Sequence, residues 1–509
     1  MTRAESSLPD LATPSAVLLV KRGTCNRARS ACNKIRRAGL VACVAFLSGN
    51  GLHASTSAAE PNADPAFDAE TLEHFQALVR MDTTDPPGRE VEAAEYLAKV
   101  LREAGIDTEI VALEPHRPNV IARIPGNDSR KPLLLMAHTD TVNIDPAKWS
   151  FPPFSAARDG GYIYGRGTVD DKDNVVAALM TMLALKRAGT PLDRDVIFLA
   201  ESGEEGTTRV GIQYVVENHF DKIDAEYCLA EGGGVTRENG RVTSASIQTM
   251  EKSPRAIELI ARGPAGHGSV PLEDNAVVHL SAAVARVAAW RTPIRLNETT
   301  RTYFERLAAI APPEQAQNYR DILHPDPAVQ ARADAWFRTR EPRHASVIRT
   351  SISPTMINGG YRVNVIPSEA KATLDTRLEP SEDPEAFLEQ VRGVVNDPSI
   401  EVNWAPRDLR PRGSSSIATE AFALLEAEFE RHYGAPTLPT MSTGATDMAY
   451  LRARGIQCYG IGPAIDVEDG AKGFGAHSDQ ERILESELYR FARFHLDAVR
   501  ALAASAPTP

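Results

Sequence analysis

Cysteine is scarce in this chain of 509 residues: there are five, and Cys25, Cys32 and Cys43 all fall near the start. Only Cys228 and Cys458 remain, both inside apolar runs, which fits two buried free thiols better than a disulfide framework. Long hydrophobic runs are also missing, and none approaches the roughly 18–20 residues that a membrane-spanning helix needs. Positive charge is in deficit. The net charge is −12, and residues 60–509 carry 48 Lys and Arg against 66 Asp and Glu, which argues against a nucleic-acid partner. Three catalytic signatures are absent as well. Without a Gly-x-Ser-x-Gly elbow the chain does not read as a serine hydrolase. Without His-Glu-x-x-His it is not a mononuclear zincin, and no dinucleotide-binding glycine fingerprint follows the first strand. No internal repeat occurs.

What is there begins with a basic, then apolar, then small-residue succession. Lys34, Arg36 and Arg37 precede the apolar run 38–48, and Ala54-Ser55-Thr56-Ser57-Ala58-Ala59 follows. This reads as a signal peptide within a leader spanning residues 1–59, so the expected location is exported, periplasmic or secreted. With the leader removed, no stable membrane insertion is expected.

The body is organised around Leu133-Leu134-Leu135-Met136-Ala137-His138-Thr139-Asp140. An apolar strand delivers a histidine, and a carboxylate two positions on projects to the same face, within reach of its ring. Strands expected at 119–124, 133–136, 195–200 and 225–230 alternate with helices at 90–104, 174–188 and 210–218. That alternation specifies an α/β fold, a mostly parallel sheet with helices on both faces. Near Glu251 the pattern changes to strand 256–261, helix 275–289, a helical insertion 292–345, strands 346–357 and 370–378, and helix 383–394. This order suits an inserted α+β ferredoxin-like lid domain. The α/β pattern resumes with helix 419–433, a loop 441–446, helix 447–454, strand 457–461 and helix 485–503. The expected organisation is therefore a leader 1–59, a catalytic domain formed by two separated segments, 60–250 and 406–503, a lid or dimerisation domain 251–405 inserted between them, and a tail 504–509.

His138, Asp170, the pair Glu204 and Glu205, Glu231 and His477 all stand at or just past the ends of expected strands, or in the loops that follow. Ligands of open α/β sheets collect at that carboxyl edge. Singly, each has an ordinary explanation: Asp170 as a helix cap, Glu204 and Glu205 as a solvated pair, Glu231 as a turn residue, His477 as a surface histidine. Together they can support two-metal chemistry. Asp170 is the natural bridge, leaving a histidine and an acid for each metal, and mixed nitrogen and oxygen ligation favours zinc, with cobalt or manganese compatible. Two adjacent glutamates allow one to ligate while the other takes a proton.

On these runs the chain resembles the M20 family of dinuclear zinc metallopeptidases. The matching stretches are Met136–Asp140, Gly165-Arg166-Gly167-Thr168-Val169-Asp170-Asp171-Lys172, Gly203-Glu204-Glu205-Gly206, Ala230-Glu231-Gly232-Gly233 and Phe474-Gly475-Ala476-His477-Ser478. The form is most similar to the carboxypeptidase S and aminoacylase-like branch. The resemblance implies a zinc exopeptidase fold, with Asp170 bridging two zincs, His138 and Glu231 on one, Glu205 and His477 on the other. It implies Glu204 as general base, Asp140 orienting His138, and a cis Asp170–Asp171 peptide. His267, in Gly266-His267-Gly268-Ser269, would polarise the scissile carbonyl, while Asn364, Arg377 and Gly444 would contact substrate. Gly203, Asp173 and the Ser478–Glu481 run depart from the commonest pattern and leave the subfamily open.

The function so implied is zinc-dependent hydrolysis of an amide or peptide bond next to a free carboxylate, of carboxypeptidase or dipeptidase type. An N-acyl-amino-acid amidohydrolase differs only on the acyl side, and a non-catalytic binding protein on the same fold is the reading of another class. The expected partners are a small peptide or N-acyl amino acid as substrate, and a second copy of the chain through the lid.

Overall fold

The computed structural model describes residues 64–406 and 409–505. The leader expected at 1–59 and the last four residues of the tail lie outside them. The first helix, Pro65–Val79, starts where Asp64 accepts the backbone N–H groups of Ala66 and Phe67, with proline at its first position.

The large sheet is built on strands Val196–Glu201, Leu133–His138, Tyr227–Ala230 and Gln457–Gly460, which lie side by side and parallel. Every residue of Leu133–His138 and Val196–Glu201 is buried. Alternation explains why both runs are apolar throughout. Leu133, Leu135, Val196 and Phe198 pack into one core with the helices Lys172–Ala188 and Glu485–Ala503, while Leu134, Met136, Ile197 and Leu199 pack into another with Ile212–Asn218. Antiparallel strands extend the sheet at both sides. Asp107–Val111 and Asn119–Ile124 lie beyond Val196–Glu201, and the hairpin Gly234–Glu238 and Arg241–Glu251 lies beyond Gln457–Gly460.

A four-stranded antiparallel sheet of Ser351–Gly359, Glu369–Leu378, Ser253–Arg262 and Ile400–Trp404 carries the helices Ala276–Ala289 and Pro384–Val395 on one face. Alternate residues Ile257, Leu259, Ala261, Ala372 and Leu374 fill the space beneath them. Between the helix Ala276–Ala289 and the strand Ser351–Gly359 comes an all-helical excursion, Glu298–Ile310, Pro313–Asp321, Pro327–Arg340 and Pro342–Val347, with its own core around Phe304, Tyr319 and Phe337.

Two local expectations are corrected, and one element is added. Residues 346–350 are not strand: Pro342–Val347 is helical, and the strand starts at Ser351. The stretch 437–442, whose end was expected to be loop, is a strand parallel to Arg241–Glu251, with Pro439 inside it at the sheet's side. The hairpin turning at Asn239-Gly240, both at positive φ, is an additional element; Asn-Gly is a strong turn pair.

The last helix contributes a titrating group to the core. His495 is 3% exposed, and its Nδ1 meets the Thr181 hydroxyl at 2.8 Å. Burial pushes its pKa down to about 3, so the folded protein keeps it neutral where an unfolded chain would take up a proton. Its contribution is intact above the unfolded value near 6.5 and is lost as pH falls from there toward 3, by about 1.4 kcal/mol per pH unit. In urea unfolding series, His495→Gln is expected to flatten the decline of stability between pH 6.5 and pH 4 relative to the unsubstituted protein.

Candidate metal centre and active site

The parallel strands deliver polar residues to one edge. His138 closes its strand, Glu231 follows Tyr227–Ala230 directly, and Glu204 and Glu205 lie just past Val196–Glu201. Asp170 arrives in the loop before the helix Lys172–Ala188, and His477 in the loop after Val467–Lys472.

The two oxygens of Asp170 face different histidines. Oδ1 lies 3.1 Å from His138 Nε2 and Oδ2 lies 3.0 Å from His477 Nε2. Glu205 Oε1 lies 2.7 Å from the same His477 nitrogen. Ligating atoms of His138, Asp170 and Glu231 all fall within 4.8 Å of one another, and so do those of Asp170, Glu205 and His477. The Asp170–Asp171 peptide is cis. His138 is buried, whereas the His477 side chain is 54% exposed, so the cluster opens to solvent on its side.

Negative charge is concentrated here. Burial, then repulsion from Glu204, pushes the Glu231 carboxyl well up, and burial likewise raises Glu205 against the pull of His477. Hydrogen bonds to Asp170 and Glu205 push the His477 imidazole up to about 10. Burial opposes ionisation of Asp170, yet its bonds to His138 and His477 hold it well below the usual carboxylate range. Each group of three offers one imidazole nitrogen and two carboxylates, hard and borderline donors that suit a divalent cation. The residues present fit such ions.

Supporting contacts fix the donors. The Asp140 carboxylate accepts the backbone N–H groups of Gly203, Glu204 and Glu205 at 2.8, 3.2 and 2.9 Å. It thereby holds the loop that carries both glutamates. Toward His138 it is less direct than i and i+2 spacing suggested: Nδ1 lies 3.1 Å from the Asp140 carbonyl oxygen and 3.5 Å from the carboxylate. Asp171 accepts the His138 backbone N–H and the Asn174 amide, and burial pushes it up to about 7. Gly232 and Gly233 let the chain after Glu231 run close: a Cβ on Gly233 would stand 2.0 Å from the Gly460 carbonyl oxygen.

Buried Glu481 ties the other two loops together. It accepts Arg166 Nη1 at 2.7 Å and the N–H groups of Gly167 and Val169, while Arg166 Nη2 donates to the Ser478 carbonyl. One ion pair thus spans the loops bearing Asp170 and His477.

The structure does not bring every expected residue to the cluster. His267 is exposed on the short strand Gly266–His267, paired with Val365–Ile366, and its Nδ1 accepts from Ser269. Among the described residues no hydrogen bond or ion pair links it to Asp170, Glu204, Glu205 or Glu231. Asn364 lies beside it, its carbonyl accepting the Gly268 N–H. Arg377 Nε donates to Asp375, 3.0 Å away on its own strand. Gly444 donates its N–H to the Ser442 hydroxyl.

Other groups at the site carried no periodic signal in the sequence. Arg410 Nη1 donates to Glu204 Oε1 at 2.7 Å and lies 3.1 Å from Asp447, while Nη2 donates to the Glu204 carbonyl. Asp447 is buried and pushed up to about 8 despite Arg410, and Glu201 is buried beneath the same loop with its pKa raised. The Asp in Gly444-Ala445-Thr446-Asp447, just ahead of a short helix, could have been singled out; Arg410 could not.

Replacing Glu481 with Ala would leave Arg166 as an unpaired buried charge. The expected loss is about 3–5 kcal/mol of unfolding free energy, measured by denaturant titration, with Glu481→Gln losing less because its single amide oxygen still accepts at one of the two positions the carboxylate served.

A model of Peptidase family M20/M25/M40 matches residues 134–501. The chain is 28% identical over 374 residues to N-fatty-acyl-amino acid synthase/hydrolase PM20D1 of Homo sapiens, covering 71% of this chain and 72% of that protein. It is 24% identical over 443 residues to Aminoacylase-1B of Rattus norvegicus, covering 86% and 96%. Among solved structures, an M20 family metallo-carboxypeptidase, Sso-CP2 from Sulfolobus solfataricus, superposes with a TM-score of 0.66 at 20% identity, covering 85% of this chain and 98% of that one, which shows a shared fold. A family match over most of the chain, on a sheet whose carboxyl edge gathers these donors, makes the assignment: the chain belongs to peptidase family M20/M25/M40 and is an enzyme of metal-dependent amide-bond hydrolysis.

Proposed function

We propose that the protein is a two-zinc hydrolase that cleaves an amide or peptide bond next to a free carboxylate, of carboxypeptidase or dipeptidase type. The observation that carries the reading is Asp170 turning one oxygen to each of two histidines, each with its own further carboxylate. Asp170, His138 and Glu231 would hold one ion, and Asp170, Glu205 and His477 the other. When bound, such a pair supplies Lewis acidity toward the substrate carbonyl and lowers the pKa of water near it.

The chain's own residues supply the proton handling and the binding. Glu204 takes the proton from the attacking water and returns it to the leaving nitrogen. Arg410 fixes that carboxylate by its Oε1, and Oε2 is the oxygen left to take the proton. His267 donates to the developing oxyanion after the four-stranded layer closes on the cluster, since it is exposed in the present conformation. Arg377, released from Asp375, pairs with the substrate carboxylate through its guanidinium fork, and Asn364 and Gly444 line the same approach. This assigns residues 251–405 as lid, with 60–250 and 406–503 as the catalytic halves, and the lid surface as the place for a homodimer.

An N-acyl amino acid in place of a peptide is the second reading. It is favoured by the human and rat relatives, whose names specify N-fatty-acyl-amino acid hydrolysis and aminoacylase activity. Export is supported by the basic, apolar and small-residue succession before residue 60.

Hydrolysis of a library of dipeptides and N-acyl amino acids by the zinc-loaded protein, with and without chelator, tests the assignment. Cleavage confined to substrates with a free carboxylate beside the scissile amide, abolished by chelation, is expected; indifference to that carboxylate would overturn it. Asp170→Ala is expected to lose both ions by elemental analysis, and two retained equivalents would remove its bridging role. Glu204→Gln should keep its metal while turnover falls by about 10²–10⁴-fold. Near-normal turnover there would strip Glu204 of its role as base.

A further inference from the structure

One residue separates the two sheets on the outward passage of the chain, and it is a lysine. Lys252 lies between strands Arg241–Glu251 and Ser253–Arg262 and is fully buried. Its Nζ donates to the Ser346 hydroxyl at 3.0 Å and the Ser351 hydroxyl at 3.1 Å. No carboxylate of the described residues stands within ion-pair distance of it. Buried Arg117, Arg194 and Arg452 each have such a partner, in Glu90, Glu226 and Glu251. The acid whose charge acts on Lys252 is Glu379, whose oxygens are already engaged by Asn297 and Ser381.

The same two serines line a cavity of about 550 Å³ at the meeting of the Pro327–Arg340 and Pro342–Val347 helices with the start of the Ser351–Gly359 strand. Arg291, Arg338 and Arg349 line it too, and no aspartate or glutamate does. Asp334, outside the lining, pairs with Arg338 and Arg349. Arg349 is 7% exposed, and its Nε has no hydrogen-bond partner. Trp290 and Ile352 give the cavity an apolar wall. None of these residues belongs to the donor clusters of His138 and His477.

A serine hydroxyl that accepts from an ammonium group has its own hydrogen left to donate, and that hydrogen is the more polarised for it. Ser346 Oγ donates to Ser351 Oγ across 3.4 Å, longer than a normal O–H···O bond, so the Ser351 hydrogen is free and that of Ser346 is only weakly held. Two polarised hydroxyls, one unpartnered guanidinium N–H and a buried ammonium behind them make a receptor for negative oxygen. We propose that this cavity is a second ligand site, binding a small molecule through a carboxylate or phosphate held by Ser346, Ser351 and Arg349, its apolar portion lying on Trp290 and Ile352. Burial, with repulsion from Arg349 and Arg377, pushes Lys252 down to about 7, and a bound anion would offset both effects. The proposal stands apart from the identity of the hydrolysed substrate, because it is read by binding.

The test is titration of the zinc-loaded full chain with sodium benzoate and, separately, inorganic phosphate, followed by calorimetry and by saturation-transfer NMR for benzoate. The double substitution Ser346→Ala and Ser351→Ala is expected to weaken binding about tenfold or more, at unchanged kcat/KM for amide hydrolysis. Benzoate binding without phosphate binding identifies a carboxylate ligand, and phosphate binding without benzoate a phosphorylated one; either supports the site. Absence of binding by both overturns it, as does equal affinity in the doubly substituted protein, which would place the anion at the donor clusters. Should that variant fail to fold, Arg291→Glu on the exposed rim gives the same reading, with weakened binding expected and unchanged affinity refuting.

Discussion

Everything at the functional edge depends on how one carboxylate is shared. Asp170 cannot face two histidines unless the strand ending at His138 and the loop ending at His477 are held on opposite sides of it. The fold meets that demand with rigid pieces. His138 is the last residue of a fully buried central strand, and Asp170 precedes a helix whose first three turns are almost entirely buried. The only donor with an exposed side chain, His477, is in a loop clamped from below by Glu481 and Arg166. Burial first, and then repulsion between neighbouring acids, raises the carboxyls around Asp170, and bound cations would relieve both.

Support for the site comes mostly from backbone hydrogen bonds to carboxylates. Asp140 collects three successive N–H groups of the glutamate loop, Glu481 collects two from the Asp170 loop, and Asp171 takes that of His138. Such bonds are charge-assisted and directional, so they fix a loop's path as well as its stability. A further buried trio, Arg117 with Asp85 and Glu90, sits under the same glutamate loop: Asp85 leaves no room for a Cβ at Gly206, and Arg117 lies close to Gly203. These acids are not spare charges around a metal site; they form its frame.

How much of this was legible in the residues follows from what periodicity encodes. The central strands announce themselves as apolar runs because both faces are buried, and the polar residue that ends each run is then conspicuous. His138 and Glu231 could be singled out for that reason, and Asp170, Glu205 and His477 by lying in loops that carry the family's motifs; the structure brings their ligating atoms together. Asp140 was legible as a neighbour of His138, but its grip on the glutamate loop depends on a strand-to-strand crossing that no local pattern carries. Arg410 lies in an irregular stretch, and only three-dimensional closure puts it on Glu204. Residues 346–350 misled because β-branched and small residues fit helix end or strand equally, and Thr437–Ser442 was obscured by its proline. The Asn239-Gly240 turn was available as a signal and marks a hairpin at the side of the large sheet.

The two passages between the sheets are unlike in length and in cargo. Outward, Glu251, Lys252 and Ser253 make the step with one residue outside a strand, and Glu251 is anchored to Thr446 and Arg452. Homeward, the chain passes from Trp404 through a longer stretch that carries Arg410. One passage is short and the other long, and the long one is itself tied down, Arg410 to Glu204 and Arg412 to the Glu382 carbonyl. Any swing of the four-stranded layer about Lys252 would therefore tug on the guanidinium leaning against Glu204, so that the joint and the proposed proton acceptor would share a single mechanical linkage.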